Sequence, residues 1–264
     1  MKPSKCIVIF SLAAAFLVVG CGGGDSSTAD SSSGDEPAPA QAAAPSEPIG
    51  SATISGVINF EGTAPESSRL RLDADCSALH DGVVMSQNYV ISEEGNVANV
   101  FVYVKEGLSG HTFTPPAEPA VIDQHGCMYS PHVLGVQVGQ NLQILNSDTF
   151  LHNINGQAND NRPFNFGMPK QGDERERSFR VPEIMLPIKC DVHPWMSAYL
   201  GVVEHPFFTV SDTDGSFSIE GLPAGDYVLE AWHEEFGTQT MSVSVTDGGS
   251  ASADFTYTST GAAD

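Results

Sequence analysis

Positive charge is what this chain has least of. Against 33 aspartates and glutamates it carries 11 lysines and arginines, a formal net charge of −22 over 264 residues. A surface of that sign repels phosphate backbones and anionic headgroups, so nucleic acid is excluded as a partner and an anionic lipid surface is disfavoured. Either plain solubility or steering toward a basic partner accounts for it. Helical periodicity of useful length is missing after the first twenty residues, and no tandem repeat stands out, which argues against helical architectures. Cysteine is sparse as well, with five residues at positions 6, 21, 76, 127 and 190.

What is present begins with MKPSKCIVIFSLAAAFLVVG. Lys2 and Lys5, an apolar run and small residues ahead of Cys21 read as a secretory signal over 1–20, too short for a stable membrane span. Val18-Val19-Gly20-Cys21 resembles the lipobox of bacterial lipoproteins. That resemblance implies a lipidated Cys21 and a protein held by its lipid anchor at the periplasmic or another extracytoplasmic face of a bacterial membrane. Residues 21–50 hold almost no large apolar side chain and read as a disordered tether. Removing 1–20 takes away two lysines and no acid, so −22 becomes −24. Setting Cys6 and Cys21 aside leaves Cys76, Cys127 and Cys190. In an oxidising compartment an odd number suggests one pair and one thiol kept for another task.

From residue 51 the stretches ATISGVINF, VANVFVYV, VLGVQVGQNLQIL, GSFSIEGL, DYVLEAW and MSVSV alternate apolar and polar residues, separated by Gly, Pro, Asn and Asp. The period of two predicts strands, and the fold class expected is all-β, built of sandwiches. FFTVSDTDGSFSIEGLPAGDYVLEAWHE, residues 207–234, resembles the carboxypeptidase regulatory-like β-sandwich in its Asp-Gly turn and its Leu222-Pro223-x-Gly225-x-Tyr227 step. The earlier strands of that module match Gly56-Val57-Ile58 and Val97–Val104, far upstream. The module is therefore expected to occupy 51–118 plus 204–257, interrupted by an insert at 119–203. Within the insert, Val136 and Val138 are expected to face Leu142 and Ile144 in a hairpin about Gly139.

The insert also holds KCDVHPWM, residues 189–196, which sets a thiol, an imidazole and a thioether on one loop. With His152 closing an apolar stretch about forty residues earlier, these make the donor set of a type 1 copper site. Two imidazoles and a thiolate suit both copper oxidation states, with a thioether as a weak axial ligand. Cys-x2-His alone is a weak signal that zinc sites share, but zinc gives Met196 no task.

Residues 129–203 resemble a cupredoxin in Tyr129-x-Pro131, Gly139, Asn146-x-Asp148, His152-Asn153 and Cys190-x2-His193-x2-Met196, and the short loop with Pro194 resembles the amicyanin-like members of that family. The resemblance implies a Greek-key sandwich holding one copper through His152, Cys190, His193 and Met196. It further implies that Asn153 braces the loop of Cys190, with Pro194 and Trp195 beside the metal and an exposed edge of His193 as the electron port. A dinuclear copper centre would need a second cysteine in the loop, and a c-type haem would need Cys-x2-Cys-His; neither is present.

Other residues leave alternatives open. Cys127 either pairs with Cys76, stapling the insert to the outer sandwich, or joins His125 and His132 in a second metal site; pairing is the favoured reading. His132 is close enough in sequence to reach the metal or a partner. Polar residues 155–178 read as a surface loop near the metal in preference to a lid. The function expected is single-electron transfer with no substrate transformed, to a basic-faced redox protein such as a cytochrome or membrane oxidoreductase. Copper storage or delivery, or a structural module with a vestigial site, are the rival readings.

Overall fold

The alternating pattern becomes strand nearly everywhere in the computed structural model, which describes residues 49–259. The expected signal, Cys21 and most of the tether lie outside the described residues. The first part contains β1 (Ala52–Glu61), a single helical turn α1 (Ala74–Ser77) and β2 (Phe101–Glu106). Nine strands follow: β3 (Ala120–His125), β4 (Met128–Ser130), β5 (Val133–Gln137), β6 (Asn141–Asn146), β7 (His152–Gly156), β8 (Phe164–Met168), β9 (Asp173–Ser178), β10 (Glu183–Lys189) and β11 (Ser197–Val203). The last are β12 (Phe208–Val210), β13 (Ser216–Leu222), β14 (Gly225–His233), β15 (Gly237–Val245), β16 (Ser250–Ser252) and β17 (Phe255–Thr258).

Two sheets combine the first strands with the last. One runs β13-β1-β16 with β17 also on β1, and the other runs β12-β2-β14-β15. Their shared core holds Ile54, Ile58, Val102, Leu229 and Tyr257. The middle strands form the other two sheets, β5-β11-β10-β7-β8 and β4-β3-β6-β9, around Tyr129, Leu142, Ile144, Ile154 and Leu200.

All described residues belong to one compact unit. A third cluster, with Phe101, Tyr103, Val133, Met185 and Val203, joins the two cores. The Phe101 ring reaches across because Gly135 and Gly201, neighbours in register on β5 and β11, leave room for it. A Cβ at Gly201 would sit 2.5 Å from that ring.

Two local expectations are corrected. β5 and β6 do not form a hairpin: β5 pairs with β11, and β6 pairs with β3 and β9, in opposite sheets. Gly139, at φ +86°, turns the chain across the core, so Val136 and Leu142 enter the same core from two different sheets. An apolar strand-turn-strand pattern is the same for both arrangements, and burial of β5 at every residue selects the second.

Residues 155–178 are not a loop. They contain β8 and β9, edge strands whose polar residues face outward, with Phe164 and Met168 turned into the core.

Candidate metal centre

The centre starts from a tight turn. His125 and Met128 pair across Gly126 and Cys127, at φ 62° and 53°, so both turn residues are left-handed as a two-residue hairpin of type I′ requires. The turn aims both amides at one buried carboxylate: Gly126 donates to Asp148 Oδ1 at 2.8 Å and Cys127 to Oδ2 at 2.7 Å. Asp148 Oδ2 in turn accepts from His152 Nε2 at 2.9 Å. With one His152 proton held on that side, it is Nδ1 that faces the interior, and loss of its proton frees a lone pair there.

That Nδ1 lies 2.9 Å from Nδ1 of His193, and Cys190 Sγ lies 3.8 Å from the same His193 nitrogen. All three side chains are buried, and one donor atom from each falls within 4.8 Å of the others. Three strands deliver them: His152 opens β7, Cys190 follows β10, and His193 sits in the turn before β11. The turn is closed by Met196 N donating to the His193 carbonyl at 2.9 Å and Cys190 N to the Met196 carbonyl at 3.3 Å. Met196 is fully buried in the same core.

The electrostatics ease loss of the Cys190 proton. Burial pushes the Cys190 thiol up, but hydrogen bonds from His152 and from the amides of Asn153, His193 and Val192 outweigh it and lower its pKa. Burial also opposes a charged His152, yet the hydrogen bonds and charges of Asp148 and Cys190 raise it to about 9. Burial and the His152 charge lower His193. Burial raises Asp148, but hydrogen bonds from His152, Cys127 and Gly126 hold it below its ordinary value. Two facing imidazole nitrogens beside a cysteine sulfur, enclosed in the core, fit copper in kind and number.

Asn153 Oδ1 accepts from the Asp191 amide at 2.6 Å and lies 3.4 Å from Cys190 Sγ, while its Nδ2 donates to Asn165 and Asp191. Pro194 is exposed. Trp195 is half-buried, donates from Nε1 to the Cys127 carbonyl at 3.0 Å, and stacks obliquely 5.2 Å from the His193 ring.

His132 does not point into the centre. Nδ1 bonds the Ser197 carbonyl at 3.0 Å and Nε2 meets Glu234 at 2.5 Å, which ties the start of β11 to the residue just after β14. Cys127 is joined to Cys76 in a disulfide and so is not free for a separate metal site with His125 and His132.

The expected exposed edge of His193 is absent: the residue is only 5% exposed. The segment around α1 covers it, with Asp73 Oδ2 3.8 Å from His193 Nε2 and Cys76 bonded to Cys127 behind. Neither Asp73 nor Asp148 announces its role in sequence. Asp73 lies 120 positions from its partner, and Asp148, though part of the Asn146-x-Asp148 pattern, precedes His152 across an irregular turn.

Residues 202–258 match the carboxypeptidase regulatory-like domain. That span covers β12 to β17 and part of β11, so the family is assigned to this stretch and not to the whole chain. Among curated proteins none matches.

Among solved structures, the chain is similar to a copper-containing nitrite reductase from Thermus scotoductus SA-01, at 24% identity and TM-score 0.30. The match covers 36% of this chain and 24% of the reductase. A purple cupredoxin from Nitrosopumilus maritimus is 26% identical with TM-score 0.27, over 31% of this chain and 98% of that one. A point mutant of amicyanin in its reduced Cu(I) form is 22% identical with TM-score 0.29, over 34% of this chain and 91% of that one. No described helix is long and apolar enough to cross a membrane.

Proposed function

We propose that the protein is a copper-binding electron carrier with one type 1 site. The observation that carries this reading is the convergence of His152 Nδ1, His193 Nδ1 and Cys190 Sγ in one buried cluster. Copper held there would supply a one-electron couple, with Met196 on the same turn as the weak fourth donor.

The chain's own residues prepare that site. Asp148 keeps the His152 proton on Nε2, Asn153 supports the Cys190 turn, and the rigid strand ends hold the ligands in place through a change of charge. The cap around α1 excludes water. A partner approaches over that cap and the exposed Leu151, Val192 and Pro194 beside the ligands.

The acidic surface suits a basic-faced cytochrome or membrane oxidoreductase, with association weakened by salt. Cys21 as a lipid anchor and residues 22–50 as a tether would keep the protein at the extracytoplasmic face of a membrane, free to swing. The chemistry proposed is electron transfer without turnover of a substrate.

Metal delivery is the second reading, favoured by the burial of His193 beneath a disulfide. Voltammetry of the copper-loaded protein separates the two. An electron carrier gives a reversible one-electron wave with the metal retained through repeated cycles. Loss of copper to a Cu(I) chelator on first reduction overturns the carrier reading in favour of delivery.

A further inference from the structure

The Cys76–Cys127 disulfide lies against the metal centre. Both sulfurs and a His193 ring nitrogen fall within 4.8 Å of one another, and Cys127 Sγ is equally close to donor atoms of His152 and Asp148. All five side chains are shielded, and both cysteines are fully buried.

Cys76 is brought there by the covering segment. Asp73 caps α1 by accepting from Cys76 N at 2.9 Å, with its second carboxylate oxygen turned to His193. That segment has little backbone hold on the sheets. The bridge from Arg69 to Met85 is internal to it, and besides the disulfide it is held to the body by side chains: His80 Nε2 on the Gly126 carbonyl at 2.8 Å, Asp73 beside His193, and Leu72 packed on the core. Leu79, Val83 and Met85 on the same segment are exposed. Such a segment opens at low cost compared with the sheets beneath it, and opening uncovers the disulfide.

We propose that reduction of this disulfide creates a second metal site, in which the Cys76 and Cys127 thiolates and His193 take Cu(I). The reductant is a dithiol. Its two thiol protons and two electrons pass to the S–S bond, which breaks to two cysteine thiols, while the dithiol closes to its own disulfide. Each cysteine thiol then releases a proton as it binds the ion. Two thiolates and one imidazole are a soft set that selects Cu(I) over harder divalent ions.

The new site and the type 1 set both draw on His193, so the two compete for that side chain. A thiol signal thereby draws copper from the electron-transfer set into a dithiol set that holds it as Cu(I). The choice of copper rests on the type 1 reading proposed above; the dithiol site itself does not need Cys190.

The test uses that independence. In Cys190→Ser protein, which lacks the thiolate of the primary set, Cu(I) retention is measured against a bidentate Cu(I) chelator with the Cys76–Cys127 pair oxidised and then reduced anaerobically. The reduced form is expected to keep about one equivalent at a chelator concentration that strips the oxidised form. The Cys76→Ser/Cys190→Ser protein is expected to lose the ion.

Because reduction could simply loosen the fold and leave an ordinary dithiol, His193→Ala is added to Cys190→Ser. The reduced double variant is expected to release Cu(I) to the chelator. Equal retention in oxidised and reduced Cys190→Ser protein, or retention unaffected by His193→Ala, overturns the proposal. A missing blue spectrum in the oxidised native protein would instead count against the primary copper reading.

Discussion

The Nδ1 atoms of His152 and His193 face each other at 2.9 Å, and the far nitrogen of each ring meets a carboxylate, Asp148 for His152 and Asp73 for His193. The two carboxylates are not equivalent. Asp148 is buried, holds two backbone amides and makes a close hydrogen bond, whereas Asp73 is half exposed at 3.8 Å. Control over ring orientation therefore rests mainly with Asp148.

Asp148→Asn should weaken copper binding by about 10–100-fold, the usual effect of losing the group that orients a ligating histidine. It should also cost about 2 kcal/mol of metal-free stability, because an amide cannot satisfy the Gly126 amide, the Cys127 amide and His152 as a carboxylate does. Competition titration and urea unfolding read the two effects separately. Unchanged affinity would mean that the turn, not Asp148, positions His152.

Glu234→Ala should destabilise the protein by about 2 kcal/mol, since it leaves a ring nitrogen of buried His132 without its hydrogen-bond partner. Copper stoichiometry and the ligand spectrum should not change, because His132 bonds Ser197 and Glu234 and not the metal cluster. An altered spectrum would return His132 to the metal's surroundings.

His233 sets an acid limit. It is 2% exposed, and burial lowers its pKa to about 4, with Glu234 opposing and His132 assisting. The unfolded chain takes up its proton near pH 6.5, so stability is full above that and falls as pH drops toward 4, where the folded residue at last protonates. At pH 5 the loss from this residue alone is about 2 kcal/mol relative to pH 7. Urea midpoints of the native protein and His233→Gln across that window should converge as pH falls; parallel curves would show that His233 is not the group responsible.

Much of the fold, and the meeting of His152, Cys190 and His193 in one cluster, is legible in the sequence because the signals are local. Period-two alternation marks the strands, and Cys190, His193 and Met196 share one short turn. What was not legible depends on distant contacts. The apolar pattern about Gly139 does not distinguish a hairpin from a turn across the core, a choice made by β11 and β3 at the strands' outer edges. The polarity of DERERS hides β9, which forms because β6 offers it a free edge. The covering of His193 by Asp73 and α1 follows from the Cys76–Cys127 link over 51 residues, which spacing alone could not assign.

The most direct test of the central claim is the visible absorption and paramagnetic-resonance spectrum of the copper-loaded protein beside Cys190→Ser. The account predicts an intense thiolate-to-copper band with narrow hyperfine splitting in the native protein, abolished in the variant. A colourless protein, or an ordinary tetragonal copper spectrum that is the same in both, would contradict it.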